Sequence, residues 1–452
     1  QFSRGCPFRC RFCNSVNMFP KFRVRDPAEA FEAVRHLAAL ATARGDRFYL
    51  RMTDLTFNAN VPEMLRFLEL IIEGGLDLTW RAMVHIHPQM TTRVLERMRL
   101  SGCICLFWGI ESASQRVVDA MRKNYRVEDA VRVIRDCSRL GITQQIPILV
   151  GFPGEQPEDA VKSIVFILEY RFYPKVKLHQ PSLLKIFPNS PLGGREDGYR
   201  LTGPGPDDWE TTDGRNTLPV RRLRLFVLRN AQMNEPLSRE RLAEAGTFAA
   251  LDLNDPQVSR ECRDLVGGLF EAAGIADWAA LLPEGLGDPD GWAELDMNAP
   301  DRREGLIQAM LQAMRLVQED RFRRVEEDPA LPLLRPVLDG TTLTRLGTFR
   351  GWLDRAERDG DEVVVAGWAF DAGAPARPVE ILVYCDRKLA ARHTPTLRRS
   401  DVAAEHGEAA TTCGFEFRIP RERLEGWNTL FVVNSLGEYG FVRGNFWQCP
   451  AL

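Results

Sequence analysis

Between residue 21 and about residue 185, hydrophobic positions fall alternately at helical and strand spacing with little interruption. "DPAEAFEAVRHLAALATARG" predicts a helix opened by Asp26 as N-cap, with Pro27 at its first position and Glu29 as capping-box partner. The helix stops near Gly45. "RFYLRMTDLTF", "LTWRAMVHIH", "CICLFWGIES", "TQQIPILVGF" and "VKLHQPSLL" read as strands. Between them lie the helices "VPEMLRFLELIIEGG" and "TRVLERMRLSG", two short ones from Ser114 to Leu140, and "PEDAVKSIVFILEYRF". This alternation predicts right-handed βαβ units and a parallel sheet. With a short first strand ending near Gly5, the fold class is α/β, either doubly wound or a partial barrel. In both, chemistry gathers at the carboxyl ends of the strands.

The pattern then changes. "FPNSPLGGREDGYRLTGPGPDDWETTDG" is a Gly/Pro-rich excursion, followed by helical stretches such as "RRLRLFVLRNAQMN" and "EGLIQAMLQAMRLVQEDRFRRV". "DPALPLLRPVLDGTT" reads as a linker, after which the period switches to two in "EVVVAGWAF", "VEILVYCDRKLAARH", "GFEFRIP" and "NTLFVVNS". Three regions result: a core over 1–190, a loop-rich and helical extension over 191–340, and an all-β sandwich-like domain over 345–449. No internal repeat stands out.

Composition narrows the function without naming it. A chain of 452 residues exceeds the ordinary single core, and 44% hydrophobic with 27% charged residues is normal for a globular protein. A formal net charge of -3 gives no bulk reason to expect nucleic acid or anionic membrane as partner. No apolar run approaches the roughly 18 residues of a membrane span. Ten cysteines in a chain this long, mostly dispersed, read as reduced and intracellular, which predicts a cytoplasmic location. The chain begins at Gln1 rather than Met, so it reads as part of a longer protein.

The exception to the dispersal is "SRGCPFRCRFC", which places Cys6, Cys10 and Cys13 on one short loop after the first strand. Three thiolates in Cys-x3-Cys-x2-Cys spacing can converge on one centre. Iron–sulfur clusters normally take four, so three would leave one iron open. Zinc would need a fourth ligand, and His36, His85 and His87 lack knuckle spacing. Three unconnected core thiols are the remaining alternative.

"CPFRCRFC" resembles the CxxxCxxC loop of the radical S-adenosylmethionine (radical SAM) superfamily, with an aromatic before the last cysteine. The resemblance extends over residues 1 to about 190 and implies a partial (β/α)6 TIM-like barrel. It implies a [4Fe–4S] cluster held by Cys6, Cys10 and Cys13, with SAM on the open iron and the backbone around Phe12 facing the adenine. "KFRVRDPAEAFEAV", "MTDLTFNAN", "GLDLTW", "FWGIESASQRVVDAMRK" and "LVGFPGEQPEDAV" are similar to the cobalamin-binding branch. Where the wider family has GGE, this chain has "TDLTFN", making Asp54 the candidate contact to the SAM amino group. Glu111 in "GIES" matches the acid that approaches the ribose or amino group, and Gly151, Gly154 and Glu155 of "GFPGE" match the segment near the adenine. In that branch the corrinoid domain precedes the core, so cobalamin would be carried upstream of Gln1.

The resemblance thus implies reductive cleavage of SAM to a 5′-deoxyadenosyl radical, with cobalamin-dependent methylation of an unactivated carbon as the leading reaction. The expected partners are a small-molecule or biosynthetic-intermediate substrate and an electron donor such as flavodoxin or ferredoxin. A cobalamin-independent rearrangement, oxidation or cleavage is the alternative, and a degenerate scaffold a further one. Each site residue also has a plainer role. Asp54 could cap or turn, Glu111 could close a core face, and the glycines with Glu155 could shape a strand-to-helix turn. His85 and His87 share a strand face without a third ligand and read as packing, and Cys103 and Cys105 read as core thiols pointing the same way.

Overall fold

The computed structural model describes residues 1–19, 21–171, 173–194, 199–203, 205–232, 248, 250–283, 285–327, 337–338, 341–342, 344–345, 348–385, 388–424 and 427–448. The described residues divide into two compact units, one reaching to residue 322 and one from residue 323 onward.

In the first unit β1 (Ser3–Arg4) leads into the cysteine loop and the short α1 (Ser15–Met18), and pairs antiparallel with β2 (Arg23–Val24). Then follow α2 (Pro27–Ala43), β3 (Tyr49–Arg51), α3 (Val61–Glu73), β4 (Thr79–Val84), α4 (Thr92–Leu100), β5 (Cys103–Trp108), α5 (Gln115–Ala120), α6 (Val127–Arg139) and β6 (Thr143–Ile146). After these come β7 (Leu149–Val150), α7 (Pro157–Tyr170), β8 (Val176–Leu178) and β9 (Ser182–Leu183). Strands β3-β4-β5-β6-β8 form one parallel sheet in that order, and β7 pairs parallel with β9. The fold is α/β with a parallel sheet, as its alternation predicts. "TQQIPILVGF" becomes two strands, because Pro147 in its middle has no N–H to give the ladder.

Helix starts follow the caps. Asp26 accepts from the N–H groups of Ala28 and Glu29 at 2.9 and 3.1 Å. The expected capping box is only half made, since the Glu29 carboxylate lies 3.9 Å from Arg25. One face of the sheet buries Trp80, Leu106, Trp108 and Ile146, and Phe57 bridges Trp80 to Phe67 of α3. A register slip corrects one expectation: Trp80 pairs with Cys103 and Arg81 with Cys105, so Ile104 is extra in a β-bulge. Cys103 is therefore fully buried, while Cys105 is turned to the other, partly exposed face.

Past the sheet, β10 (Leu201–Thr202) and β11 (Glu210–Thr211) form a hairpin ahead of α8 (Leu218–Gln232). Two long helices follow, Pro256–Ala272 and Pro300–Glu327. Their entry loops, "LDLNDP" at 251–256 and "LDMNAP" at 295–300, are a short repeat. Asn254 donates to Asp296 (2.8 Å) and accepts from the Met297 N–H (2.7 Å); Asn298 donates to Asp252 (2.6 Å) and accepts from the Leu253 N–H (3.0 Å). The loops clasp each other reciprocally, and each places its proline in the first turn of a helix, where a missing N–H costs nothing.

The second unit is β-rich: β12 (Val337–Leu338), β13 (Thr341–Thr342), β14 (Thr344–Arg345), β15 (Phe349–Asp359), β16 (Glu362–Asp371), β17 (Val379–Cys385), β18 (Lys388–His393), β19 (Gly414–Pro420), β20 (Trp427–Asn434) and β21 (Glu438–Gln448). The order is β18-β17-β20-β21-β15-β16-β19, with β14 also on β21. Val363 and Val365 of β16, Ile381 and Val383 of β17, Phe415 of β19 and Val432 of β20 share one core, so the two ends of this path fold over a common interior.

Candidate metal centre

The cysteine loop is fixed from both sides. Asp54, 1% exposed, accepts from the Phe2 N–H (3.1 Å), the Ser3 N–H and the Ser3 hydroxyl (2.7 Å), pinning β1 just before the loop. Phe2 stacks on Phe67 of α3 at 5.0 Å. At the far side, the Arg11 N–H donates to Met121 O (3.1 Å) and Arg11 O accepts from the Leu192 N–H (3.0 Å), while the Cys13 N–H turns back onto Cys10 O (3.1 Å). Asp54 is thus occupied as a brace for the loop.

The three thiols lie together over the carboxyl ends of the strands. Cys6 Sγ is 3.4 Å from Thr56 Oγ1, beyond β3. The Phe8 ring lies 4.0 Å from His85, beyond β4. Cys10 is buried, and desolvation pushes its thiol up to about 11; Lys123 pulls it down, and Cys13 and Cys6 push it further up. A buried thiolate flanked by two more needs positive charge to exist, and an iron–sulfur core supplies it, so this donor set fits such a group. Among the described residues no three His, Cys, Asp or Glu side chains converge tightly enough for a single ion. Ligands to different irons of a cluster need no such convergence.

Beside the thiols is a buried ion pair. Lys123 Nζ is 3.2 Å from Glu111 Oε1, with side chains 4% and 13% exposed, and stands 5.5 Å over the Phe12 ring. Glu111 has φ 69°, the left-handed region that non-glycine residues rarely occupy, and bridges to Ile148 across the strand gap. An added Cβ at Gly109 would come within 3.0 Å of Lys123 Nζ, so the glycine makes room for the pair. His85 holds Lys123 from behind, its Nε2 2.7 Å from the Lys123 carbonyl; it donates there, since a carbonyl only accepts. Burial and the nearby Lys123 charge lower its pKa to about 3, so the ring is neutral. The packing role expected for His85 therefore includes positioning Lys123. Lys123 closes "FWGIESASQRVVDAMRK" in the sequence, but nothing in its spacing marked it.

Phe12 packs on an apolar cluster that includes Val117, Met121 and Phe152. Gly151 and Gly154 have φ 85° and 86°, which glycine adopts without strain. An added Cβ at Gly151 would collide with the Arg221 side chain. Glu155 points into a buried knot. It accepts from the Gly151 N–H (2.7 Å) and from Arg224 (3.2 Å), and Arg224 also forks onto Glu261 at 2.6 and 2.9 Å. Two carboxylates share one fully buried guanidinium, and desolvation raises Glu155 to about 7 despite Arg224. Arg224 and Glu261 stand 37 residues apart, on helices whose mutual packing the sequence does not announce.

Comparison with known proteins gives the class of this site. Residues 1–167 match the radical SAM superfamily, and the chain carries a domain of that family. With the family come its cofactors, a [4Fe–4S] cluster and SAM. Among similar proteins, an uncharacterized methyltransferase of Pyrococcus horikoshii is 28% identical over 164 residues, covering 36% of this chain and 35% of that protein. The anaerobic magnesium-protoporphyrin IX monomethyl ester cyclase of Rubrivivax gelatinosus is 25% identical, covering 35% and 28%. The bacteriochlorophyllide d C-8(2)-methyltransferase of Chlorobaculum tepidum is 25% identical, covering 36% and 38%. The matches thus span about a third of these relatives' lengths. The solved structure of the radical SAM methyltransferase TsrM from Kitasatospora setae is 22% identical with a TM-score of 0.38, covering 46% of this chain and 39% of its own. No helix among the described residues is long and apolar enough to cross a membrane.

Proposed function

We propose that the chain is a radical SAM enzyme whose cluster is held by Cys6, Cys10 and Cys13, and that it methylates an unactivated carbon with the help of cobalamin. The observation that carries the first part is the thiol trio on one loop, braced by Asp54 and Arg11 over the carboxyl ends of parallel strands. Bound there, the cluster would supply the electron that splits SAM into methionine and a 5′-deoxyadenosyl radical. The strand series, with helices on one face and the other face open, supports reading the sheet as the wall of a partial (β/α)6 barrel.

The residues around the loop divide the work. Lys123 and Glu111 place fixed charges beside the thiols and the Phe12 ring, where SAM would lie. Gly151 and Gly154 let the backbone pass close to the adenine, and Glu155 ties that turn to Arg224. Asp54 we assign to holding the loop rather than to contacting SAM. The methylation reading is supported by two similar proteins named as methyltransferases and by the cobalamin-branch motifs.

The test supplies the full-length protein anaerobically with cobalamin, SAM and a reductant, and follows methylcobalamin and S-adenosylhomocysteine by mass spectrometry. Both should accumulate. If 5′-deoxyadenosine forms without either, the reaction is a cobalamin-independent radical one.

A further inference from the structure

The two faces of the parallel sheet differ sharply. One is packed with Trp80, Leu106, Trp108 and Ile146, whereas on the other Tyr49 is 48% and Met83 45% exposed. Parallel sheets ordinarily bury both faces, so an open one needs an occupant. Register defines what the open face carries. Arg51 pairs with Arg81, Arg81 with Cys105, Phe107 with Gln145, and Gln145 with Lys177. Directly paired positions point the same way and lie about 4.8 Å apart. Arg51, Arg81 and Lys177 therefore project from one face, interleaved with Tyr49 and Phe107.

None of these three cations makes an ion pair among the described residues; Arg81 has only the Tyr49 ring, at 6.0 Å. Burial pushes the Cys105 thiol up, and the charges of Lys177 and Arg81 on the same face pull it back down. The acid that continues this face, Glu111, is taken by Lys123. In a chain of net charge -3, three such cations on one sheet face are a local arrangement and not a bulk excess. The face also leads to the cysteine loop: His85 lies two residues beyond Met83 on the same side, and its ring meets Phe8 at 4.0 Å.

We propose that this open face binds a small-molecule substrate through its phosphate or carboxylate groups, with the neighbouring Arg51 and Arg81, and Lys177 three strands further along, as their counter-charges. Tyr49 and Phe107 then receive the apolar part, and the cysteine loop sits above it. Arginine suits both anions because its planar fork donates two parallel hydrogen bonds. The inference rests on the radical SAM reading for its direction, but its test does not use the reaction.

Equilibrium binding of inorganic pyrophosphate, citrate and a single-stranded RNA ten-mer is measured by calorimetry on the cluster-loaded protein and on Arg51→Gln/Arg81→Gln/Lys177→Gln. Iron content and the thermal midpoint of the variant serve as folding controls. Saturable binding of pyrophosphate or citrate, weakened about tenfold or more in the variant and by added salt, is expected, and the tighter anion names the group. No binding by the wild type, or equal binding by a folded variant, overturns the inference. So does tighter binding of the RNA, which would make the partner a nucleic acid. Parallel loss of SAM binding in the variant would also overturn it, by assigning the charges to the SAM carboxylate. Absence of 5′-deoxyadenosine with anion binding intact would instead remove the radical reading alone.

Discussion

The Lys123 side chain is 4% exposed and lies 3.2 Å from the carboxylate of Glu111, itself 13% exposed. Removing one member of such a pair strands the other. Lys123→Met should lower unfolding stability by about 3 kcal/mol, and Lys123→Met/Glu111→Gln should recover much of it. Urea unfolding of the cluster-free protein measures both, and an additive double variant would show that the two side chains do not interact. Glu155 makes a pH prediction of definite sign. Its folded value is about 7, against an ordinary 4.5, because burial outweighs the attraction of Arg224. Between those values the folded chain holds a proton that the unfolded chain has released. Glu155 therefore costs stability progressively as pH rises through this window, with no further change above it. Glu155→Gln, which keeps an acceptor for the Gly151 N–H, should flatten that fall in a pH series of urea midpoints. An unchanged slope would mean the carboxyl is ionised throughout. At this scale the cysteines were legible because their spacing is chemistry. Lys123, Arg224 and Glu261 were not, since each acquires its role from a partner brought in by folding.

Helices and strands were largely readable from period and punctuation. Asp26 with Pro27 and Asn60 with a proline in the first turn open α2 and α3 as side-chain caps. What escaped was what one residue does to a ladder. Pro147 splits a strand, and the bulge at Ile104 turns Cys105 away from Cys103, although alternation alone puts them on one side. The clasp between 251–256 and 295–300 escaped for a different reason: two six-residue matches 44 apart carry little weight until the loops are seen to exchange hydrogen bonds. Asn254→Ala and Asn298→Ala each remove one half of it and should cost about 1–2 kcal/mol. Because both act on a single device, the double variant should cost less than their sum. Strict additivity in thermal or urea unfolding would mean that the two halves work independently.

At the scale of the whole molecule, the α/β unit and the β-rich unit each have their own interior, and the family match is confined to residues 1–167. The switch of hydrophobic period near residue 345 made the second unit visible in the sequence. The first unit reaches to residue 322, and nothing in the pattern of the loops and helices after 190 announced how far it extends. The site belongs to the first unit: loop, brace, ion pair and open sheet face all come from its first 192 residues. The central claim is that this loop holds a cluster able to cleave SAM. The most direct measurement is anaerobic reconstitution with iron and sulfide, then reduction with SAM present, assayed for 5′-deoxyadenosine alongside Cys6→Ala/Cys10→Ala/Cys13→Ala. The account predicts about four irons and four sulfides per chain, 5′-deoxyadenosine from the wild type, and neither from the triple variant. A cluster-free wild type, or equal product from the variant, would contradict it.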